Sequence, residues 1–169
     1  MGVICAVEDL LPLRKKLREV GQALVFTNGC FDLLHVGHVR YLTQARALGS
    51  VLVVGLNTDA STRQLKGPGH PVVPETERAE VLCALRSVDY VVLFNDPTAE
   101  RLVLTLQPDV YVKGGDYAAQ PGDPGKDLPE ARIVAQYGGR TVILPLVAGR
   151  STLSLLKTIV ERFSPAGPQ

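Results

Sequence analysis

Apolar runs rich in β-branched residues alternate with amphipathic stretches along most of this chain, and that alternation constrains the fold more than any other feature. The runs show no clean alternation of apolar and polar side chains, which is typical of strands buried on both faces of a parallel sheet. The predicted strands are residues 23–27, 51–56, 88–94, 110–112 and 141–144. The pattern predicts an α/β fold, a single-domain Rossmann-like open parallel sheet of about five strands with helices on both faces.

The predicted helices carry apolar residues at the three- and four-residue spacing of one helix face. They are residues 10–20, 39–48, 75–85, 98–106, 128–137 and 152–163. Asp9 is the predicted cap of the first helix, and Gly49 is the predicted stop of the second. The apolar residues at helical spacing in the last helix are Leu153, Leu156, Ile159 and Phe163. Prolines and glycines predict a loop over residues 115–126.

The composition fits one globular domain, with 169 residues, 46% hydrophobic residues and a formal net charge of +1. Such a charge balance gives no general reason to expect nucleic acid or an anionic membrane as a partner. Three cysteines without a CxxC pair indicate reduced thiols rather than a zinc or redox centre. Because the chain also shows no signal-peptide pattern and no apolar run of about 20 residues, we expect a cytoplasmic protein.

The junction after the first predicted strand is the strongest candidate for a ligand site, because ligands bind at the carboxyl ends of such strands. It reads TNGCFD over residues 27–32 and HVGH over residues 35–38. Glycines and unpaired N–H groups at a helix start favour phosphate, and His35 and His38 add imidazole donors. Metal binding is the alternative for two histidines three residues apart. The only other histidine, His70, lies in a distant loop, so the residues favour phosphate.

Other junctions carry candidate residues that each have an ordinary structural explanation as well. Asp59 could simply cap a helix or could support the site. Lys66, in a loop with glycines and prolines, is either a solvated surface lysine or a mobile cation that closes over phosphate. Arg78 could orient that loop or touch phosphate. The GRST segment at residues 149–152 either caps the last helix or forms a second anion site.

The stretch FTNGCFDLLHVGH at residues 26–38 resembles the signature of the cytidylyltransferase-like nucleotidyltransferases. The resemblance covers residues 23–163 and implies a nucleotidyltransferase domain there, with an N-terminal helical extension at residues 1–22 and a flexible tail at residues 164–169. It implies that His35 and His38 are the catalytic pair, and that Lys66 is the closing cation. The implied nucleotide- or phosphate-binding residues are Thr27, Asn28, Gly29, Cys30, Phe31, Gly37, Lys113, Gly114, Asp116, Ser151 and Thr152.

Three further segments are similar to the heptose-1-phosphate adenylyltransferases. They are KGGDY at residues 113–117, YGGR at residues 137–140 and GRST at residues 149–152. The similarity implies transfer of AMP from ATP to D-glycero-β-D-manno-heptose 1-phosphate, giving ADP-heptose and pyrophosphate, with Arg150 as a further catalytic residue. This chain departs from the family at His70, where many relatives have arginine.

The resemblance also implies Mg²⁺ bridging the phosphates without a direct protein ligand. Asp32 would then either hold a magnesium-bound water or pin the neighbouring loop. The expected partners are ATP and a sugar 1-phosphate, a sugar kinase on a separate chain, and a second copy of this chain in a homodimer. The rival functions are a cytidylyltransferase acting on glycerol 3-phosphate, choline phosphate or ethanolamine phosphate, a nucleotide-binding module without turnover, and a metal-dependent hydrolase.

Overall fold

The computed structural model describes residues 1–115, 117, 126–145, 149 and 151–163. Within these residues, six strands and seven α-helices follow one another along the chain. They are β1 (Val3–Ile4), α1 (Leu11–Glu19), β2 (Leu24–Gly29), α2 (Val36–Arg46), β3 (Val51–Asn57), α3 (Asp59–Lys66), α4 (Glu75–Ala84), β4 (Tyr90–Phe94), α5 (Glu100–Leu106), β5 (Val110–Gly114), α6 (Pro129–Gln136), β6 (Arg140–Leu144) and α7 (Thr152–Phe163). None of the described helices is long and apolar enough to cross a membrane.

All six strands form one parallel sheet in the order β1-β4-β3-β2-β5-β6. This confirms the predicted Rossmann-like open sheet, with one strand more than the sequence pattern indicates. The additional strand, β1, consists of Val3 and Ile4, which pair with Tyr90 and Val91 at the edge of the sheet. Two exposed residues are too short a run for hydrophobic periodicity to reveal.

The strand order decides which helices cover each face of the sheet. From β2 the chain adds β3 and β4 in one direction, then returns to place β5 and β6 on the other side. Because parallel crossovers are right-handed, α2 and α4 cover one face, and α5 and α6 cover the other. The two core clusters agree, since one contains Leu42 and Leu82 and the other contains Leu102 and Val134. The direction reverses between β2 and β5, where a ligand crevice is expected.

The N-terminal segment packs against the face that carries α5 and α6. Leu10 and Leu17 are buried in that core cluster. Arg14 is buried too, and it forms two hydrogen bonds with Asp109 at 2.7 and 2.8 Å. Asp9 is not the cap of α1, contrary to the prediction. It belongs to a short 3-10 turn, where its carboxylate accepts a hydrogen bond from the Ala6 N–H at 3.1 Å.

Gly49 also differs from its predicted role as the stop of the second helix. That helix ends at Arg46, three residues earlier, and Ala47 follows it in a helical conformation. A Cβ atom at Gly49 would lie 2.6 Å from the Ala23 carbonyl oxygen. The glycine is therefore required by the close approach of two chain segments, rather than by a left-handed helix end.

Helix α7 forms over the predicted residues but does not bury its apolar face. Leu153 is 72% exposed and Phe163 is 77% exposed, and no residue of this helix is buried. Helical spacing correctly predicts the helix, although none of its residues is buried against the rest of the described chain. The predicted tail at residues 164–169 and most of the predicted loop at residues 115–126 lie outside the described residues.

Candidate active site

A cavity of about 670 Å³ opens at the carboxyl ends of the strands, next to the point between β2 and β5 where the strand order reverses. This is within the size range of small-molecule sites. It brings together residues from widely separated segments of the chain. The predicted site residues that line it are Asn28, Gly29, Cys30, Phe31, His35, Gly37, His38, Lys66, Lys113, Gly114, Ser151 and Thr152.

His35 and His38 cap the N-terminus of α2 reciprocally. His35 Nδ1 accepts a hydrogen bond from the Gly37 N–H at 3.1 Å, and His38 Nδ1 accepts one from the His35 N–H at 3.3 Å. The rings stack with their centroids 4.0 Å apart. Because each Nδ1 is an acceptor, the neutral imidazoles carry their proton on Nε2. The helix start thus holds two similarly oriented N–H donors where its dipole favours an anion.

The local environment keeps His38 uncharged at neutral pH. Burial lowers the pKa of His38 to about 4, and the neighbouring His35 and Lys66 add smaller effects in the same direction. The edge of the Phe31 ring contributes to this burial, with its centroid 5.6 Å from the imidazole centroid. His38 is therefore a neutral hydrogen-bond donor at pH 7, and the positive charge in this part of the cavity comes from Lys66.

Lys66 lies at the end of helix α3 and not in a loop, which corrects the prediction. Gly67 follows with a φ of 89°, a left-handed conformation that ends the helix immediately after the lysine. The side chain is exposed at the mouth of the cavity. The helix fixes the Cα position, so any movement of the charge over a ligand comes from the flexible side chain.

Asp32 holds the segment that follows Lys66. Its Oδ1 accepts hydrogen bonds from the Val72 and Val73 N–H groups at 2.8 and 3.0 Å. Its Oδ2 lies 3.1 Å from His70 Nδ1. Burial of Asp32 would raise its carboxyl pKa, but these contacts outweigh it and lower the pKa. The sequence left two roles open for Asp32, holding a magnesium-bound water or pinning the neighbouring loop. These contacts correspond to the second role.

Arg78 holds the same loop, residues 70–73, from its buried side. It is 1% exposed and donates to the carbonyl oxygens of Val73, Cys30 and Asn57. It also bonds the Asp59 carboxylate at 2.6 Å. These contacts give Asp59 a structural role, although it does not cap α3 as the sequence suggests. The cap is the residue before it, Thr58, whose hydroxyl accepts from the Ser61 N–H.

Lys113 and Asn28 join the ends of β5 and β2 at the base of the cavity. The Lys113 ammonium donates to Asn28 Oδ1 at 3.0 Å and to the Asn28 carbonyl oxygen at 3.3 Å. The Tyr111 hydroxyl donates to the same Oδ1 at 2.7 Å. Burial lowers the pKa of Lys113, while Glu130 and Cys30 act in the opposite direction. These contacts fix the Lys113 side chain beside the predicted nucleotide site.

Two predicted site residues cannot be placed, and a third lies outside the cavity. Asp116 and Arg150 are outside the described residues. Thr27 is fully buried, and its hydroxyl lies 2.6 Å from the Tyr41 hydroxyl, which also donates to the Val112 carbonyl at 3.1 Å. Thr27 therefore supports the site from behind rather than facing a ligand.

The cavity also contains side chains that the sequence analysis did not identify. They are Tyr41, Asn57, Pro97, Thr98, Tyr117 and Glu130, among others. Asn57 is the last residue of β3, so its position at a strand end could have revealed it. Glu130 carries no such signal, because it lies at the start of an ordinary amphipathic helix.

Among the described residues, no group of three or more His, Cys, Asp or Glu side chains could hold a metal ion. Within the described residues, metal binding by His35 and His38 therefore lacks a third protein ligand. Their Nδ1 atoms are also engaged by backbone N–H groups. The arrangement matches a site for anions better than a site for cations.

The sheet is Rossmann-like, and the HxGH histidines that cap α2 face a cavity that also contains a lysine and the start of α7. A fold and a site of this kind define a nucleotidyltransferase. The chain belongs to the cytidylyltransferase-like family, whose family model matches residues 26–145. This assignment confirms the family resemblance and the nucleotidyltransferase class predicted from the motifs.

Several curated relatives are similar over most of this chain. A protein named "Bifunctional protein HldE" from Syntrophotalea carbinolica is 52% identical over 163 residues, which is 92% of this chain and 32% of the relative. A protein of the same name from Citrifermentans bemidjiense is 53% identical over 85% of this chain and 28% of the relative. The chain thus spans about a third or less of the length of these relatives.

Solved structures show the same fold. A lipopolysaccharide core biosynthesis protein from Thermoplasma volcanium has a TM-score of 0.57 and 28% identity, with 75% of this chain and 98% of that chain covered. A pantoate-beta-alanine ligase from Francisella tularensis has a TM-score of 0.58 over 95% of this chain and 78% of that one. The ligase is only 13% identical, so it shows the fold alone.

Proposed function

We propose that this domain transfers AMP from ATP to D-glycero-β-D-manno-heptose 1-phosphate, giving ADP-heptose and pyrophosphate. The observation that carries the chemistry is the pair of imidazoles at the α2 N-terminus, which line one cavity with Lys66, Lys113 and the start of α7. The heptose acceptor is supported by the GRST and KGGDY segments and by the relatives named HldE, which are about half identical to this chain.

In the proposed reaction, an oxygen of the sugar phosphate attacks the α-phosphorus of ATP. The bond from the α-phosphorus to the bridging oxygen breaks, and pyrophosphate leaves with the electron pair. The nucleophile is already anionic, so the protein needs no general base. His35 and His38 would donate Nε2–H bonds to phosphate oxygens, while Lys66 and Arg150 would balance charge that develops in the transition state.

Mg²⁺ is part of the proposal as a cation that would bind together with the substrate phosphates. Among the described residues no group of three or more His, Cys, Asp or Glu side chains could hold it, so the phosphates would supply most of its ligands. Bound magnesium would neutralise phosphate charge. We expect no direct coordination by Asp32, since both of its oxygens already hold the loop at residues 70–73.

A substrate matrix tests the proposal directly. Pyrophosphate release is measured with ATP or CTP in combination with heptose 1-phosphate, glycerol 3-phosphate, choline phosphate or ethanolamine phosphate. We expect release only with ATP and heptose 1-phosphate. Release with CTP and another acceptor would instead show the rival cytidylyltransferase. ATP binding without release under any condition would show a binding module, and phosphate release without acceptor would show hydrolysis.

Lys66→Ala should lower kcat on the order of tenfold, because the flexible ammonium stabilises charge that develops in the transition state. The Kd for ATP should change less than about twofold, since such an interaction is weak in the ground state. Stopped-flow pyrophosphate release and calorimetry measure the two quantities. Arg63→Ala is the matched control, because Arg63 is an exposed cation on the same helix that does not line the cavity.

The Lys66 assignment is wrong if the variant keeps the wild-type kcat, or if it loses thermal stability in proportion to activity. The latter result would indicate a structural lysine.

The proposal also includes how the acceptor is supplied and in which compartment the domain acts. A sugar kinase must supply the phosphorylated acceptor. We place the domain in a reducing compartment, the cytoplasm, because Cys5, Cys30 and Cys83 are all free thiols.

A further inference from the structure

A buried carboxylate lies in the cavity on the sheet face opposite to α2. Glu130 is only 3% exposed, yet it lines the cavity. It belongs to the first turn of α6, which packs beside α5. Its Oε1 accepts a hydrogen bond from the Ala99 N–H at 2.8 Å, at the start of α5. This contact explains why one of its two oxygens is buried there.

The second oxygen of Glu130 has no such explanation. Among the described residues, the hydrogen bond recorded for the Glu130 carboxylate is the one from Ala99 to Oε1, and Glu130 lines the cavity. Oε2 is therefore the oxygen available to face the open space. Because a carboxylate held away from bulk water is costly unless it is hydrogen-bonded, a donor inside the cavity must satisfy it.

The neighbouring charges indicate what that donor is. A carboxylate repels phosphate, so the triphosphate and the acceptor phosphate belong at the histidine end of the cavity. Lys113 and Glu130 lie near enough for the carboxylate to affect the pKa of the lysine, although burial affects that pKa more. The Lys113 ammonium has three protons, and two of its bonds go to Asn28. A cavity lined by both a carboxylate acceptor and an ammonium donor is complementary to a hydroxyl group, which can donate to one and accept from the other.

We propose that Glu130 is a specificity-determining residue that accepts a hydrogen bond from a hydroxyl group of a bound sugar. The inference rests on the proposed function, in which both substrates carry a sugar. The hydroxyl belongs either to the heptose of the acceptor or to the ribose of the nucleotide. In both cases Glu130 binds an uncharged part of the substrate and leaves the phosphates to the helix starts and the histidines.

The test uses Glu130→Gln, which keeps an oxygen for the Ala99 N–H and replaces Oε2 with an amide group that cannot accept. Calorimetry gives Kd values for heptose 1-phosphate, ATP, 2′-deoxy-ATP and 3′-deoxy-ATP. Glu100→Gln is the matched control, because Glu100 is a carboxylate in the first turn of the neighbouring helix α5 and does not line the cavity. Thermal unfolding shows whether both variants remain folded.

If the hydroxyl belongs to the heptose, Glu130→Gln raises the Kd for heptose 1-phosphate about tenfold or more and leaves the three nucleotides unchanged. If it belongs to the ribose, wild-type protein binds one deoxynucleotide about tenfold more weakly than ATP, and Glu130→Gln binds both alike.

The inference is overturned if every Kd of Glu130→Gln stays within about twofold of the wild-type value, or if Glu100→Gln weakens binding equally. The same holds if Glu130→Gln unfolds and a Glu130→Met protein that remains folded binds all four ligands normally. The proposed function fails by a different result, namely no pyrophosphate release by the wild-type protein with ATP and heptose 1-phosphate. The binding measurements do not depend on turnover.

Discussion

His38→Asn should lower kcat by about a hundredfold or more, the scale of losing one preorganised donor to a developing negative charge. Asparagine places an oxygen where His38 Nδ1 accepts the His35 N–H, so it preserves the cap of α2. It removes Nε2, the donor that faces the cavity. The measurement is steady-state pyrophosphate release with saturating ATP and acceptor.

The matched variant, His38→Gln, has the opposite effect on the two nitrogen positions. Its amide reaches the position of Nε2 but not that of Nδ1. It should retain more activity than His38→Asn and lose about 1 kcal/mol of stability through the weakened cap. Val39→Ala, on an exposed position of the same turn, should change neither quantity. Wild-type turnover in a folded His38→Asn protein would refute the catalytic assignment of His38.

Arg78→Ala should reduce the free energy of unfolding by about 3–5 kcal/mol, the cost of removing one member of a buried charged network. The change leaves the carbonyl oxygens of Cys30, Asn57 and Val73 without their donor, and Asp59 without its partner. Urea denaturation measures the loss. Arg78→Lys should lose less, since an ammonium keeps the charge but cannot reach all four partners at once.

Arg101→Ala provides the comparison for this prediction. Arg101 also pairs with an aspartate, Asp96, but the two side chains are 82% and 46% exposed. Removing it should cost less than about 1 kcal/mol, because water screens a surface pair. Similar losses for the Arg78 and Arg101 variants would show that the buried network does not hold the junction between β2, β3 and the loop at residues 70–73.

The sequence pattern predicted the elements well wherever long apolar runs or helical periodicity dominate. The strands β2 to β6 and the helices α4 to α7 all form close to their predicted residues. Predictions of local detail were less reliable. Asp9 and Gly49 have the residue types of a cap and a stop, but each is used for a different contact. Residue type identifies the candidates for such roles, and only the path of the neighbouring chain selects among them.

Local motifs were sufficient to predict the histidine-containing end of the cavity. The residues His35, Gly37 and His38 lie within one turn of one helix, so their spacing alone brings the two imidazoles together at an anion-binding terminus. The motif thus predicted the class of reaction before any long-range contact was known.

The other end of the site depends on contacts between residues far apart in sequence. The Asp32–His70 contact, the bond of Arg78 to Cys30 and the position of Glu130 against Ala99 join segments about 30 to 50 residues apart. Hydrophobic periodicity and motif spacing carry information only about neighbours along the chain. By itself, the sequence determined a parallel α/β sheet and a helix start that carries two histidines. Only the tertiary structure decided that Asp32 and Arg78 hold a loop, and that a buried carboxylate shares the cavity, because these roles depend on strand order.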